Sequence, residues 1–345
     1  MMNFSVGYQI CRDTKWIETI IKHANRIHEV FFSLVGVPNG RTGVPLPEGK
    51  FSTDEQKEKL HSDLRLLRQS KISLNILFNA SCYGKDSQSH IFFDKVTTEL
   101  NYYIEKYDIK SVTTTSPFIA EVIKRNFPNI LTRASINMGI SSVLGMDYVS
   151  NIFDGFYLKQ ELNRNIPTIK KMKSWCDKNG KQLFMLVNSG CLDDCAIHGF
   201  HNNLAAHSDE LVHVDKRYPI RGCRDYLCRP GKLISVLRDA NWIRPEDIHL
   251  YDGLFTSFKL ATRIHRNPIQ VLEAYINENY DGSILDLMEP NHEFAMQGRK
   301  INNALFPENF GKITGYCQRE CNTCGYCEKV FNHTLVASEE PKYVQ

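Results

Sequence analysis

Eight short apolar runs alternate with segments of helical periodicity along the 345-residue chain. Apolar runs of about four to eight residues are typical of strands that are buried on both faces of a parallel sheet. The runs span residues 4–10, 29–35, 73–78, 111–115, 131–136, 155–158, 182–187 and a last segment near 254–260. This alternation predicts an α/β fold, a TIM-like (β/α)8 barrel, with a doubly wound open sheet as the alternative.

The segments between the strands carry helix-start signals. Ser52 and Glu55 have the spacing of a capping box before an amphipathic run that reaches residue 67. Two further starts, at 116–117 and 267–268, combine an N-cap residue with a proline at the first helical position. Other helices are predicted at 14–26, 90–106, 142–152, 166–178 and 269–279.

Eight of the eleven cysteines fall into two groups of four. The groups are Cys191, Cys195, Cys223 and Cys228, and Cys317, Cys321, Cys324 and Cys327. The sequence opens without a basic leader and apolar run, and no stretch approaches the roughly 18 apolar residues of a membrane span. We therefore expect a cytoplasmic protein that does not engage a membrane, in which clustered cysteines serve metal or cluster ligation rather than disulfides.

Four thiolates can hold zinc or an iron–sulfur cluster. The first group, C-x3-C followed after a long gap by C-x4-C, differs from the paired C-x2-C knuckles of a zinc ribbon, which favours a 4Fe-4S cluster over zinc or no ligand. Cys223 is the least secure ligand of this group, since the other three cysteines could bind the metal together with a different fourth donor. The second group, C-x3-C-x2-C-x2-C, can hold a second such cluster or zinc. Its first three cysteines also match the radical SAM pattern, although there the motif follows an early barrel strand.

The loops that follow the strands form the active face of a (β/α)8 barrel. Polar residues that fall in these loops are Cys11, Asn79, Cys82, Asn137, Lys159, Glu161 and Arg263, together with the first cysteine group. We expect residues 1–290 to form the barrel, with an iron–sulfur insertion at 188–232. Residues 291–345 are expected to form a short extension that carries the second cysteine group.

Five segments occur in the order seen in one known family. They are SPFIAEVIKRNFPNILTRASINM, FYLKQEL, VNSGCLDDCAIHGFHN, IRPEDIHLYD and SFKLATR. Over about half of the chain these segments resemble the collagenase-like peptidases, peptidase family U-thirty-two. The chain departs from the family pattern in its opening strand, in the compressed spacing of its last two insertion cysteines, and in the second cysteine group, which lies outside the common core.

The resemblance implies a TIM-like barrel and, as in several members, a four-iron cluster. The better understood members are oxygen-independent hydroxylases of a quinone precursor or of RNA bases, with prephenate as the oxygen source. By position, the resemblance assigns the cluster ligands as Cys191, Cys195, Cys223 and Cys228. It also implies that Glu161, Lys259 and Arg263 face the site.

These observations favour an iron–sulfur oxidoreductase of the hydroxylase type. Glu161 would be the general base, and Lys259 and Arg263 would bind an anionic group of the substrate. The substrate could be a small aromatic molecule, a base in RNA or a peptide, and the partners a redox donor protein or a related chain in a heterodimer. The alternatives are a peptidase, for which no nucleophile–base motif is found, and a zinc-containing RNA-binding or structural protein. The net charge of only +3 gives that last alternative no general attraction to RNA.

Overall fold

Eight parallel strands close into a barrel. The structure, a computed structural model, describes residues 2–11, 13–40, 52–207 and 222–338. The strands are Phe4–Gly7 (β1), Ile27–Ser33 (β2), Ser73–Phe78 (β3), Ser111–Thr114 (β4), Leu131–Ala134 (β5), Gly155–Tyr157 (β6), Gln182–Leu186 (β7) and Ser257–Leu260 (β8). They pair in sequence order, and β8 pairs with β1 to complete the ring. The predicted (β/α)8 barrel is confirmed, and the doubly wound alternative is wrong.

Helices separate the first seven strands. They are Lys15–Lys22 (α1), Thr53–Gln69 (α2), His90–Tyr107 (α3), Pro117–Asn126 (α4), Val143–Asp147 (α5) and Ile166–Lys178 (α6). The capping box at α2 is formed: the Ser52 hydroxyl accepts from the Glu55 N–H at 3.2 Å, and the Glu55 carboxylate accepts from the Ser52 N–H at 2.6 Å. Ser116 caps α4 by accepting from the Ile119 N–H at 3.3 Å. The helices predicted at 14–26 and 142–152 are both shorter than the sequence indicates.

The predicted insertion at 188–232 lies between β7 and β8, and its residues 208–221 are outside the described ranges. Its described helices are His198–Ala206 (α7) and Gly222–Leu227 (α8). Ser235–Arg238 (α9) and a 3-10 helix at Pro245–Tyr251 follow the insertion. After β8, Pro268–Ile276 (α10) completes the barrel, and Asn267 caps it by accepting from the Gln270 N–H at 3.2 Å. None of the helices in the described ranges is long and apolar enough to cross a membrane.

The C-terminal segment packs against the barrel. Its elements are Glu293–Met296 (α11), Arg299–Ile301 (β9), Phe310–Thr314 (α12), Cys321–Cys324 (α13), Tyr326–Thr334 (α14) and Leu335–Ala337 (β10), with β9 and β10 antiparallel. Phe306 and Phe310 lie against the buried indole of Trp242, which precedes β8, at ring-centroid distances of 6.1 and 6.2 Å. The segment therefore shares its apolar core with the residues that lead into the last strand.

The barrel interior holds a buried polar network rather than apolar side chains alone. Glu29 on β2 forms an ion pair with Arg133 on β5, and the two residues are 1% and 3% exposed. The Asn75 amide donates to the Glu29 carboxylate at 2.9 Å, and the Ser111 hydroxyl donates to it at 3.3 Å. Although burial alone would raise the pKa of Glu29, Arg133 holds it below its usual value. The network links β2, β3, β4 and β5 across the barrel axis.

Candidate active site

The loop after β7 is held in place where it leaves the barrel. The Asn188 side chain accepts from the Ala261 N–H at 2.6 Å and so ties the ends of β7 and β8 together. Gly190 has no room for a side chain, because a Cβ there would lie 2.0 Å from the carbonyl oxygen of Pro290. The Gly190 carbonyl also accepts from His292 Nε2 at 2.7 Å. These contacts fix the position of the first cysteine in the insertion.

Three cysteines of the first group lie near one another. Burial raises the pKa of the Cys223 thiol, and the charges of Cys191 and Cys195 raise it further. Cys223 is partly buried on α8, whereas Cys228, one residue beyond the end of α8, is exposed. Cys223, the least secure ligand by sequence, is therefore coupled electrostatically to Cys191 and Cys195.

The second cysteine group forms a compact surface segment. Cys321 and Cys324 bound α13 and are exposed, whereas Cys317 and Cys327 are partly buried. Burial raises the pKa of Cys327, while the nearby Arg164 lowers it and the charges of the other three cysteines raise it. All four cysteines lie within eleven residues of the chain.

A cavity of about 680 Å³ lies between the two cysteine groups. Its walls include Cys195 and Cys223 from the first group and Cys317 from the second. Glu161, which follows β6, also faces it. The C-terminal extension therefore completes a site that the barrel loops begin.

An ion pair joins the two cysteine groups directly. Arg319, between Cys317 and Cys321, reaches Asp193, between Cys191 and Cys195, and its second nitrogen donates to the Asn241 side chain at 2.6 Å. Asn241 in turn donates to Asp193. Burial raises the pKa of the Asp193 carboxyl to about 6, although Arg319 favours the charged form.

Of the three predicted catalytic residues, Glu161 lines the cavity, whereas Lys259 and Arg263 are not among its lining residues. Glu161 lies beside the cysteines, with one carboxylate oxygen 3.2 Å from Lys159 Nζ and the other buried without a hydrogen bond from the residues described. Lys259 lies on the barrel axis, with its Nζ 4.0 Å from the ring centroid of Phe31 and 4.8 Å from that of Tyr157. Arg263 lies on the β2 side, where it donates to the hydroxyl of Ser33 at the end of that strand. The assignment of these residues as catalytic stays a prediction.

The described residues do not form a compact metal site. Within the described ranges, no three histidine, cysteine, aspartate or glutamate side chains converge on a position for a single metal ion. The binding of zinc or of an iron–sulfur cluster by either cysteine group therefore stays a prediction.

Three residues at this site are not predicted from the sequence. Asp193 and Arg319 each stand inside a cysteine group, and their opposite charges within C-L-D-D-C and C-Q-R-E-C are a signal that could have paired them. Arg164 also lines the cavity, but nothing in its local sequence distinguishes it from a surface arginine. Its placement depends on how the C-terminal segment packs.

Fold and site together define a (β/α)8-barrel protein with two cysteine groups at one side of its mouth. The chain is 23% identical over 297 residues to the uncharacterized protease MJ1657 of Methanocaldococcus jannaschii, which covers 81% of this chain and 82% of that protein. It is similar in structure to the U32 peptidase Mk0906, with a TM-score of 0.54 and 14% sequence identity over 75% of this chain and 92% of that chain. No protein-family model matches the sequence. At this identity the structural likeness demonstrates the fold alone.

Proposed function

We propose that this chain is an enzyme of the collagenase-like peptidase family that performs iron–sulfur-dependent, oxygen-independent hydroxylation. The observation that carries the proposal is the cavity at the barrel mouth, which cysteines of both groups line beside Glu161. Active sites of (β/α)8 enzymes lie at this face. In the reaction class proposed, a C–H bond of the substrate is replaced by a C–O bond. With oxygen supplied at the oxidation level of water, two electrons and two protons leave to an oxidised redox partner.

Different residues at the barrel mouth would bind the cluster and the substrate. Cys191, Cys195, Cys223 and Cys228 would hold the cluster (the last after its exposed segment closes on the other three). When bound, a cluster with four thiolate ligands would supply one-electron transfer.

The remaining polar residues would act on the substrate. Glu161 accepts a proton through its buried carboxylate oxygen. Lys259 and Arg263 hold an anionic group of the substrate near the barrel axis, where low solvent access strengthens the attraction.

Metal analysis of anaerobically purified protein tests the proposal. We expect iron and acid-labile sulfide in equal amounts, about four of each for every cluster. Cys191→Ala and Cys195→Ala should each remove about four irons, whereas Cys176→Ala should keep them. Cys176 is the matched control, because it is buried in α6 against Met146 and away from both groups. Protein that binds zinc but no iron in any preparation contradicts the proposal.

A peptidase is the second candidate, because the comparisons support it more directly than they support the hydroxylase. Both similar proteins are named as a protease or a peptidase. Glu161 and Asp193 provide carboxylates at the same cavity. If the iron-free protein cleaves unfolded protein substrates and Glu161→Gln abolishes this cleavage, the peptidase replaces the hydroxylase as the proposed function. Cleavage that is absent with and without iron would remove the peptidase candidate.

A further inference from the structure

A buried arginine faces the cavity without a carboxylate partner. Arg164 is 4% exposed and lines the cavity. Its terminal nitrogens donate to the backbone carbonyls of Leu237 at 2.7 Å and Trp242 at 3.1 Å. Its guanidinium lies over the rings of Trp242 at 4.7 Å and Phe310 at 5.4 Å. Nε is buried with no hydrogen-bond partner among the described residues, and none of their carboxylates forms an ion pair with Arg164.

Such a charge is costly unless an anion stands nearby. A cation buried away from water loses its hydration, and backbone dipoles and aromatic faces restore only part of the loss. A second buried arginine on the same aromatic cluster is paired with carboxylates. Arg244 lies 4.8 Å over the Phe306 ring and is paired with Glu246 at 3.3 Å and Asp247 at 3.8 Å. Arg164 lacks the carboxylates that its neighbour has.

The cavity beside Arg164 holds the Asp193 carboxylate, which is already paired with Arg319, and a thiol of the second cysteine group. Phe310, over which Arg164 lies, is stacked on Tyr326 at 6.4 Å, and Tyr326 precedes Cys327 in α14. Burial lowers the pKa of Arg164, and the charges of Cys327 and Asp193 oppose this. Cys317 lines the same cavity as Arg164. A cluster held by four thiolates carries net negative charge, so it would supply the missing counter-charge.

We propose that Cys317, Cys321, Cys324 and Cys327 bind a second 4Fe-4S cluster and that Arg164 is its buried counter-charge. The inference rests on the proposed function for its first cluster. Arg164 acts as a positioning residue: it stabilises the more negative, reduced form of the cluster and so raises the reduction potential. Exposed Cys321 and Cys324 set this cluster at the surface, where a redox protein can approach, while the cavity connects it to the first group.

Metal content and reduction potentials of the full chain test this inference. Anaerobic wild-type protein should hold about eight irons and eight sulfides, and the double variant Cys321→Ala/Cys324→Ala about four of each. The signal lost in that variant identifies the second cluster in an EPR-monitored redox titration. In Arg164→Met the reduction potential of that cluster should be lower than in wild type. The ratio of oxidised to reduced cluster at a fixed potential should rise at least tenfold, which corresponds to about 59 mV for one electron.

Two further variants separate charge from structure. Arg164→Lys keeps the positive charge and should restore the potential to within a few-fold of wild type. Arg244→Met disturbs the same aromatic cluster and should leave both potentials unchanged. If Arg164→Met does not fold, loss of about four irons in Arg164→Gln with retention in Arg164→Lys supports the same conclusion.

The outcomes distinguish this inference from the proposed function. Wild-type protein with about four irons and one zinc, or with about four irons that survive Cys321→Ala/Cys324→Ala, overturns the second cluster while the proposed function stands. Two clusters whose potentials are the same in Arg164→Met as in wild type overturn the assignment of Arg164. Protein without iron overturns the proposed function itself.

Discussion

His292 shows how one buried side chain supports the first cysteine loop. It is 1% exposed and has a left-handed backbone, with φ of 53°. Since its Nε2 must donate to the Gly190 carbonyl, the neutral ring carries its lone pair on Nδ1, which has no hydrogen-bond partner in the part of the chain described. Burial lowers the pKa of His292, and the bond to Gly190 opposes this only partly. The folded chain therefore favours the neutral form.

We predict that His292 makes the fold less stable in mild acid. An unfolded histidine titrates near pH 6.5, so below about that pH the unfolded state binds more protons than the folded one. This contribution to the free energy of unfolding is present above about pH 6.5 and is lost as the pH falls towards the lower folded pKa. His292→Asn should lose less stability between about pH 7.5 and pH 5.5, by on the order of 1 kcal/mol, in urea titrations of metal-free protein.

The replacement and its control are chosen to isolate this titration. Asparagine tolerates the left-handed backbone and keeps an N–H donor. His333→Asn changes an exposed histidine on α14 and should lose stability on acidification as the wild type does. An equal loss in His292→Asn and wild type would show that protonation of His292 does not set the acid sensitivity.

Single-residue features that depend on local sequence could be predicted, and those that depend on distant packing could not. The capping residues Ser52 and Ser116 form the bonds that their spacing indicates, because N-capping needs only the next three residues. The sequence of Gly190 does not reveal that Pro290, a hundred positions later, approaches it. Arg164 is buried by the same kind of long-range contact, so its charge could not be located in advance.

At the scale of elements, the chain joins two distant loops through one ion pair. The β7–α7 loop and the segment before α13 carry the two cysteine groups, and Asp193 and Arg319 connect them. Asn241 bonds to both side chains and so orients them. Arg319 has a left-handed backbone, with φ of 62°. The pair therefore connects the two cysteine-bearing segments.

We predict that Asp193 and Arg319 stabilise the chain as a coupled pair. In a double-mutant cycle of Arg319→Gln and Asp193→Asn on metal-free protein, the interaction free energy should be about 0.5–1.5 kcal/mol, because Arg319 remains partly exposed and solvent weakens the attraction. The exposed pair Glu121 and Arg125 on α4 is the control and should give about 0.5 kcal/mol or less. Strictly additive effects of the two substitutions would mean that the ion pair does not link the loops. Urea unfolding provides the measurement.

At the scale of the whole molecule, the sequence predicts the barrel but not what fills it. All eight predicted strands are present, since apolar runs between helices leave few other topologies. Their ends differ: β1 stops at Gly7 rather than at residue 10, and Arg263 lies against that glycine. The polar side chains of Glu29, Asn75 and Arg133 within otherwise apolar strands are the visible sign of the interior network. Which of them pair depends on barrel closure, which the one-dimensional pattern does not contain.

The last prediction concerns the ion pair that crosses the barrel. Glu29→Gln removes one charge and leaves Arg133 buried at 3% exposure with its guanidinium 4.5 Å over the Phe184 ring. Removal of one partner of a buried pair costs about 3–5 kcal/mol, because the other charge is left without compensation. We expect that loss in urea unfolding of Glu29→Gln and of Arg133→Met alone, and a cost for the double variant well below their sum.

The controls separate the stability of the barrel from the chemistry at its mouth. Lys110→Gln removes the ion pair between Lys110 and Asp108, whose side chains are 60% and 40% exposed. This substitution should change the free energy of unfolding by less than about 1 kcal/mol. The double variant should still bind iron like the wild type, because Glu29 and Arg133 lie within the barrel whereas the cysteines line the cavity between β6, β7 and the C-terminal segment. If each single substitution costs less than about 1 kcal/mol, water must reach both charges, and the barrel interior is then continuous with its mouth.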